Sequence, residues 1–201
     1  MVHGRFGGNN IPLGGNLFNV KNRLGFIHIP KCAGCCVGAY LHRIGQWRPV
    51  PEDQCNTYAA ESFKKLHNYT LFTVIRHPVD WMCSGYKMWK QRRNYTLSFD
   101  EHVDKVVYGT QSSIDNHTFD WDWHCRILPD KHIGNMKPKI FKLEELDTLK
   151  TYLSEFFPLA QTYDFELTNE TKPETIEISP KTMAKIKMYT KAYAYKYKYE
   201  F

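Results

Sequence analysis

The feature that most constrains this chain is the stretch over residues 25–36, which reads GFIHIPKCAGCC. A short apolar run over residues 26–29 stops at Pro30, and small residues with one lysine, Lys31, follow it. Apolar residues then recur at the three- and four-residue spacing of one helix face, and Gly45 suits the helix end. Those apolar residues are Val37, Tyr40, Leu41 and Ile44. The stretch therefore predicts a strand, a loop of small residues and a helix.

The loop of small residues predicts a site for an anion. Small side chains let main-chain N–H groups approach an anion, and the N-terminus of the following helix adds positive potential. Lys31 adds a point charge that suits a phosphate or sulfate group. The motif differs from the nucleoside-triphosphate P-loop, because Lys31 opens the loop and no Ser or Thr follows it. For the loop alone, a tight strand-to-helix turn without a ligand is the alternative interpretation.

A second strand-to-helix junction follows further along the chain. Residues 69–75 are β-branched and aromatic, which predicts a buried strand. Pro78 suits the first turn of a helix, and Val79, Met82, Tyr86 and Trp89 recur at helical spacing. Arg76 follows the strand and Ser84 lies two turns into the helix, so we expect both side chains to bind one phosphate group. The alternative for Arg76 alone is a surface ion pair.

These two junctions resemble the cofactor motifs of the sulfotransferases that depend on 3′-phosphoadenosine-5′-phosphosulfate (PAPS). The sequence IPKCAGCC resembles their 5′-phosphosulfate loop, and VIRHPVDWMCSGY resembles their 3′-phosphate motif. The resemblance is firm over residues 24–90, continues more weakly to the C-terminus, and is closer to the carbohydrate type than to the cytosolic small-molecule type. It implies one α/β domain over residues 24–201, of the three-layer P-loop type, with a central, mostly parallel sheet flanked by helices. Residues 1–23 are expected to form a flexible arm, since they are rich in Gly and Asn and show no period.

The resemblance also implies an activity and a set of binding residues. A sulfuryl group would pass from PAPS to an acceptor hydroxyl, with a carbohydrate as the expected acceptor, 3′-phosphoadenosine-5′-phosphate (PAP) as the product and no metal. The expected cofactor-binding residues are Lys31, Cys32, Ala33, Gly34, Cys35, Cys36, Arg76, Ser84 and, from a late basic loop, Lys172. The family usually carries hydroxyl residues where this chain has Cys35 and Cys36. Because a thiol is a weaker donor than a hydroxyl, lower affinity for the cofactor is expected.

The general base is the least constrained part of the predicted site. Deprotonating a sugar hydroxyl calls for a His or a Glu, and Lys31 is the other expected catalytic residue. We predict His124 as the base, because it lies beside two tryptophans in DWDWHCR, where family members often carry a Trp near the acceptor. The alternatives are His42, His67 and Glu52, and a purely structural role for His124 stays open.

The remainder of the chain predicts further regular structure. Ser98 and Glu101 form an S-x-x-E capping box at the start of a helix that ends at Gly109. Residues 139–143 predict a third strand, which Glu144 and another helix follow. Ser179 and Pro180 suit a helix start, after which tyrosines recur on one side and lysines cover much of the rest. We favour a packed closing helix here over one that binds a membrane or nucleic acid.

Composition narrows the class of protein without deciding the function. The net charge of +6 suits an anionic cofactor, but nucleic-acid binding produces the same bias. A P-loop kinase-like enzyme and a non-catalytic basic module that binds nucleic acid are therefore the alternatives, and the oligomeric state stays open.

The cysteines and the apolar residues bear on metal binding and location. Cys32 and Cys35 have C-x-x-C spacing, but the sequence has no second pair of ligands with the spacing of a zinc site. No apolar run approaches a membrane span, and the N-terminus lacks the apolar core of a signal peptide, so a cytoplasmic location is expected.

Overall fold

A computed structural model of the chain describes residues 15–50, 68–92, 95–109, 128–166 and 175–201. The chain divides into two compact units, one formed by residues 1–76 and 129–170 and the other by residues 77–128 and 171–201. The strands are β1 (Leu17–Asn19), β2 (Leu24–Ile27), β3 (Arg48–Pro49), β4 (Thr70–Ile75) and β5 (Lys139–Lys142). The helices are α1 (Gly34–Ile44), α2 (Pro78–Arg92), α3 (Phe99–Tyr108), α4 (Leu146–Ser154) and α5 (Pro180–Tyr197).

The first unit is built on a five-stranded sheet with the order β3-β1-β2-β4-β5. β4 pairs in parallel with both β2 and β5, whereas β1 pairs antiparallel with β2 and β3. The fold is therefore α/β as predicted, but the sheet is mixed and not mostly parallel. The reason is the tight turn over residues 20–23, which joins β1 directly to β2 and so makes a hairpin. The Asn19 side chain accepts a bond from the Asn22 N–H at 2.8 Å in this turn.

Strand β1 corrects the expectation that residues 1–23 form a flexible arm. Leu17 is only 1% exposed and packs into the core of the first unit. A strand of three residues is too short to show an alternating period in the sequence, and its neighbours are the Gly and Asn residues that suggested a loop. Residues 1–14 lie outside the described part of the chain, and the domain boundary at residue 24 stays a prediction.

The predicted strands and helices of the first unit are confirmed, with small shifts at their ends. β2 is buried along its whole length and β4 over its last four residues, as expected for strands covered on both faces. Helices α1 and α4 pack into the same core as these strands. Two 3₁₀ turns, Leu143–Glu145 and Pro158–Gln161, flank α4. The core includes Leu24, Phe26, Val37, Tyr40, Leu41, Phe72, Val74, Leu149, Leu153 and Phe157.

The second unit contains α2, α3 and α5. The capping box predicted at the start of α3 is confirmed, since the Ser98 hydroxyl accepts from the Glu101 N–H and Glu101 accepts from the Ser98 N–H. The helix start at Ser179 is also confirmed. Helix α5 packs on α3, where Thr182 Oγ1 donates to Asp100 Oδ1 at 2.6 Å, and Ile186 and Tyr193 are fully buried. The prediction that this helix packs through one face is therefore confirmed. Within the described residues, no helix combines the length and apolarity that a bilayer crossing needs.

Candidate functional site

The loop between β2 and α1 has an uncommon main-chain conformation. Lys31 and Ala33 are both left-handed, with φ of 66° and 56°, although neither is glycine. A left-handed conformation costs a residue with a side chain about 1–2 kcal/mol. Such residues persist only where the surrounding structure fixes them, and they concentrate at binding sites. The N–H of Cys32 donates to the carbonyl of Ile29 at 3.3 Å, which closes the turn.

The N-terminus of α1 has the geometry predicted for an anion site. Ala33 is the N-cap residue, and its carbonyl accepts the first helical bond from Val37 at 3.0 Å. Ala33 has no side-chain oxygen to accept from the N–H groups that follow it. The N–H groups of the first helical turn have no acceptor further back in the helix, and they lie at the end where the helix dipole favours negative charge. The N–H of Cys32, which we expected to join them, is already engaged in the turn.

His28 lies directly against this loop, a contact that sequence analysis missed. Its ring is buried, with Nδ1 accepting from the Gly15 N–H at 3.2 Å, and its own N–H donates to Asn16 Oδ1 at 2.8 Å. A Cβ atom at Gly34 would lie 1.5 Å from His28 Cδ2 and 2.0 Å from Nε2. Gly34 is helical, so it is needed here for space and not for backbone freedom. The only sequence signal was a glycine in the first helical turn.

The structure brings Lys31 and Arg76 together. Arg76 Nη1 donates to the main-chain carbonyl oxygen of Lys31 at 3.4 Å. This contact follows from the parallel pairing of β2 and β4, because the carboxyl ends of parallel neighbours lie at one edge of a sheet. Thr73 Oγ1 locks the same pairing by donating to the Ile27 carbonyl at 2.7 Å. The loop after β2 and the residue that follows β4 thus meet within the first unit.

The cysteines of the loop are small packed side chains. Cys32 is 1% exposed, and burial raises the pKa of its thiol far above the ordinary value. The nearby charges of Arg76 and Lys31 lower that pKa, and the charge of Glu144 raises it, by smaller amounts. Cys32 is therefore a neutral thiol and not a nucleophile. Cys36 is also buried, Cys35 is half-buried, and both are free thiols. Among the described residues, no group of three or more His, Cys, Asp or Glu is placed to hold a metal ion.

Glu144 brings a carboxylate to the edge of the sheet at which the loop lies. Glu144 follows β5, whose parallel pairing with β4 carries its end to the same sheet edge as Arg76. The sequence alone assigns no role to this glutamate. His42, by contrast, lies eight residues beyond Gly34 on α1, which is about 12 Å along the helix axis. Burial lowers the pKa of the His42 imidazole, and its distance from the helix N-terminus argues against a role as base there.

In the second unit, the start of α2 is tied to the C-terminal segment. His77 Nε2 donates to the Glu200 carbonyl at 2.8 Å, and its ring contacts those of Tyr199 and Phe201, with centroids 5.4 and 5.8 Å away. The His77 carbonyl in turn accepts from the Trp81 N–H at 2.9 Å. Ser84 lies further along α2 and is half-buried. These contacts join segments far apart in the chain, so no local pattern predicts them.

Several predicted site residues lie outside the described part of the chain. They are His124 with its flanking tryptophans, Lys172, and the alternative bases His67 and Glu52. Their roles stay predictions.

A comparison with family models matches residues 17–199 to the model described as the sulfotransferase family. No curated protein and no solved structure gives a significant match. The matched range begins at the first residue of β1, and it includes both strand-to-helix junctions and the whole of α5.

Proposed function

Because the chain belongs to the sulfotransferase family, we propose that it moves a sulfuryl group from PAPS to a hydroxyl of a carbohydrate acceptor. The observation that carries this proposal is the contact of Arg76 with the Lys31 carbonyl beside the uncapped N-terminus of α1. It puts two cationic residues and a row of N–H donors at one sheet edge. That combination suits a ligand with several anionic groups.

The loop would bind the 5′-phosphosulfate end of the donor. The N–H groups of Gly34, Cys35 and Cys36 would hold the 5′-phosphate, and Lys31 would lie beside the oxygen that leaves with it. The acceptor oxygen attacks sulfur in line with that leaving oxygen, so one S–O bond forms as the other breaks. By analogy with phosphoryl transfer, catalysis then consists of positioning and of stabilising the charge that develops on PAP.

The 3′-phosphate of the donor would be bound by Arg76 and Ser84, as the family resemblance implies. A guanidinium can donate two parallel bonds to phosphate oxygens, whereas the Ser84 hydroxyl adds a single bond. Lys172 is proposed to close over the cofactor from a basic loop. The same scheme uses no metal ion.

The proton of the acceptor hydroxyl would pass to a general base. We retain His124 for this role, with Glu144 as the candidate from the described residues, since it follows β5 at the same sheet edge as Arg76. A pH–rate profile of His124→Ala and Glu144→Gln discriminates between them. The variant that removes the base loses turnover and the acidic limb of the profile, while its affinity for PAP stays unchanged.

The proposed function is tested first by binding. Calorimetric titrations of the full chain with PAP, ATP and a short single-stranded oligonucleotide separate the three classes of protein considered. We expect PAP to bind most tightly of the three. A second assay then measures transfer of the sulfuryl group from PAPS to a panel of polysaccharides. Tighter binding of ATP would favour a kinase-like enzyme, and binding of the oligonucleotide alone would favour a nucleic-acid module. Either result would overturn the proposal.

A further inference from the structure

Helix α5 has an outward face in addition to the face that packs into the second unit. The inner face is formed by its buried residues, Thr182, Ile186, Thr190, Tyr193 and Ala194. On the opposite side, Ala184, Met188, Ala192 and Tyr195 recur at spacings of four, four and three residues. They therefore lie along one line of the helix, which we call the outer line.

The outer line exposes apolar surface to solvent. Tyr195 is 88% exposed and Met188 is 59% exposed, and the two alanines are exposed as well. A helix that docks on a protein core normally presents polar residues on its opposite side. A single exposed apolar residue is ordinary, but a continuous line of them indicates an interaction surface.

Lysines border the outer line on both sides. The spacing puts Lys187 and Lys191 in one row and Lys181, Lys185 and Lys196 in the other. The sequence of α5 contains no aspartate or glutamate. Lys185 is half-buried and forms an ion pair with Asp104 of α3, whereas Lys181 and Lys191 are exposed.

Among the described residues, two carboxylates of α3 lie against α5, both near its N-terminal half. Asp100 and Asp104 contact the N-terminal half of the helix at Thr182 and Lys185. Glu177 precedes the helix and Glu200 follows it. The outer line and its lysine rows therefore form a positive surface with an apolar centre.

We propose that this outer face binds a membrane surface rich in anionic lipid, with α5 lying in the plane of the interface. A polyanion without bases attracts lysines but gains little from a methionine and a tyrosine between them, and a single-stranded nucleic acid would use the tyrosine for stacking but not the methionine. A lipid surface binds both the apolar line and the lysines. The apolar side chains enter the boundary between headgroups and acyl chains, while the lysine ammonium groups reach the anionic headgroups. Tyrosine suits that boundary, since its ring is apolar and its hydroxyl is polar. This inference goes beyond the proposed reaction and does not depend on it.

The test is co-sedimentation of the full chain with vesicles of phosphatidylcholine and phosphatidylserine in a 7:3 mixture. We expect binding to these vesicles and little to pure phosphatidylcholine. Each lysine near an anionic surface contributes roughly a fivefold change in affinity. The pair Lys181→Gln with Lys191→Gln should therefore weaken binding by roughly 25-fold. The matched control is Lys131→Gln with Lys137→Gln, two exposed lysines of the first unit, which should bind like the unchanged chain.

A second pair of variants separates a lipid surface from a polyanion. Met188→Ser with Tyr195→Ser leaves every lysine in place and should weaken vesicle binding by roughly tenfold. Circular dichroism and thermal unfolding check that each variant folds like the unchanged chain. Unchanged vesicle binding by the serine pair would overturn the proposal, and so would an equal loss in the control pair. Tighter binding of a single-stranded oligonucleotide than of the acidic vesicles would assign the face to a polyanion, whether or not the serine pair weakens it.

Discussion

Arg76 Nη1 donates a hydrogen bond to the main-chain carbonyl oxygen of Lys31, with the two atoms 3.4 Å apart. The bond links the residue after β4 to the loop after β2, its parallel neighbour. Arg76 is therefore placed both to meet an anion and to hold the left-handed turn at Lys31. At this length the bond is weak, so we expect ligand recognition to dominate the effect of removing the guanidinium.

Arg76→Ala tests whether this arginine binds the 3′-phosphate. Charge-assisted hydrogen bonds contribute about 1.5–3 kcal/mol each. Affinity for PAP should therefore fall by roughly tenfold to a few hundredfold, measured by calorimetry. Adenosine-5′-phosphosulfate lacks the 3′-phosphate, and its affinity should change little. Equal losses for both nucleotides would show that Arg76 does not bind this group, and no preference in the unchanged protein would argue against PAPS as donor.

Lys31→Ala should lower turnover by roughly 100-fold or more, the scale of losing one preorganised charge-stabilising group. The left-handed backbone at this residue complicates the substitution, because alanine keeps the strain of a φ of 66°. Lys31→Gly is the matched control. It removes the same charge but relieves the strain, so it should be more stable than Lys31→Ala by about 1 kcal/mol and equally inactive. Recovery of turnover in the glycine variant would assign the loss to loop conformation and not to charge.

Gly34→Ala should weaken PAP binding and lower the unfolding free energy by about 1–3 kcal/mol, the usual cost of overpacking. The added Cβ would lie 1.5 Å from His28 Cδ2, so the imidazole must leave its place beside Gly15. The control is the double variant with His28→Ala, in which the methyl group has room. Its loss of unfolding free energy should be smaller than the sum of the two single losses, as a double-mutant cycle measures. Additive losses would mean that the ring does not set the space at residue 34.

The sequence predicts best the features whose residues lie close together in the chain. The loop at Lys31 and the junction at Arg76 each combine a buried strand, a turn and a helix, and each has a strong local pattern. Their meeting could be anticipated because neighbouring parallel strands bring such junctions to one sheet edge. The capping box at Ser98 was predictable for the same reason, since both partners lie within three residues.

The sequence was least informative where contacts join distant segments. The sequence predicts an arm where β1 lies, because a strand of three residues shows no period and is stabilised by its pairing with β2 and β3. The His28 ring beside Gly34 and the His77 contact with Glu200 depend on side chains that only the tertiary fold brings together. The mixed sheet follows from the hairpin of β1, which the aperiodic sequence before Leu24 did not indicate.

Glu101→Gln should lower stability near neutral pH, and the difference from the unchanged chain should disappear in acid. Bonds from the Ser98 N–H and hydroxyl hold the pKa of the Glu101 carboxyl below its ordinary value of 4.5. A carboxyl whose pKa is lower in the folded state contributes stability above the unfolded pKa and loses it as the pH falls through the folded pKa. Glutamine retains the capping geometry without the charge. Urea unfolding at pH 7, 5, 4 and 3.5 measures the difference, and a constant gap across this range would contradict the prediction.

His77→Ala should release the C-terminal segment from the start of α2. The substitution removes the bond to the Glu200 carbonyl and both ring contacts, so the unfolding free energy should fall by about 1–3 kcal/mol. His77→Gln retains a donor without the ring and should lose less. Amide exchange reports the local effect, and we expect faster exchange around Tyr199 and in the first turn of α2. Tyr195→Ala is the control, because that side chain is 88% exposed and its loss should leave stability unchanged. Unaltered exchange around Tyr199 in His77→Ala would show that the segment is held by its other contacts, such as the stacking of Tyr199 on Tyr193.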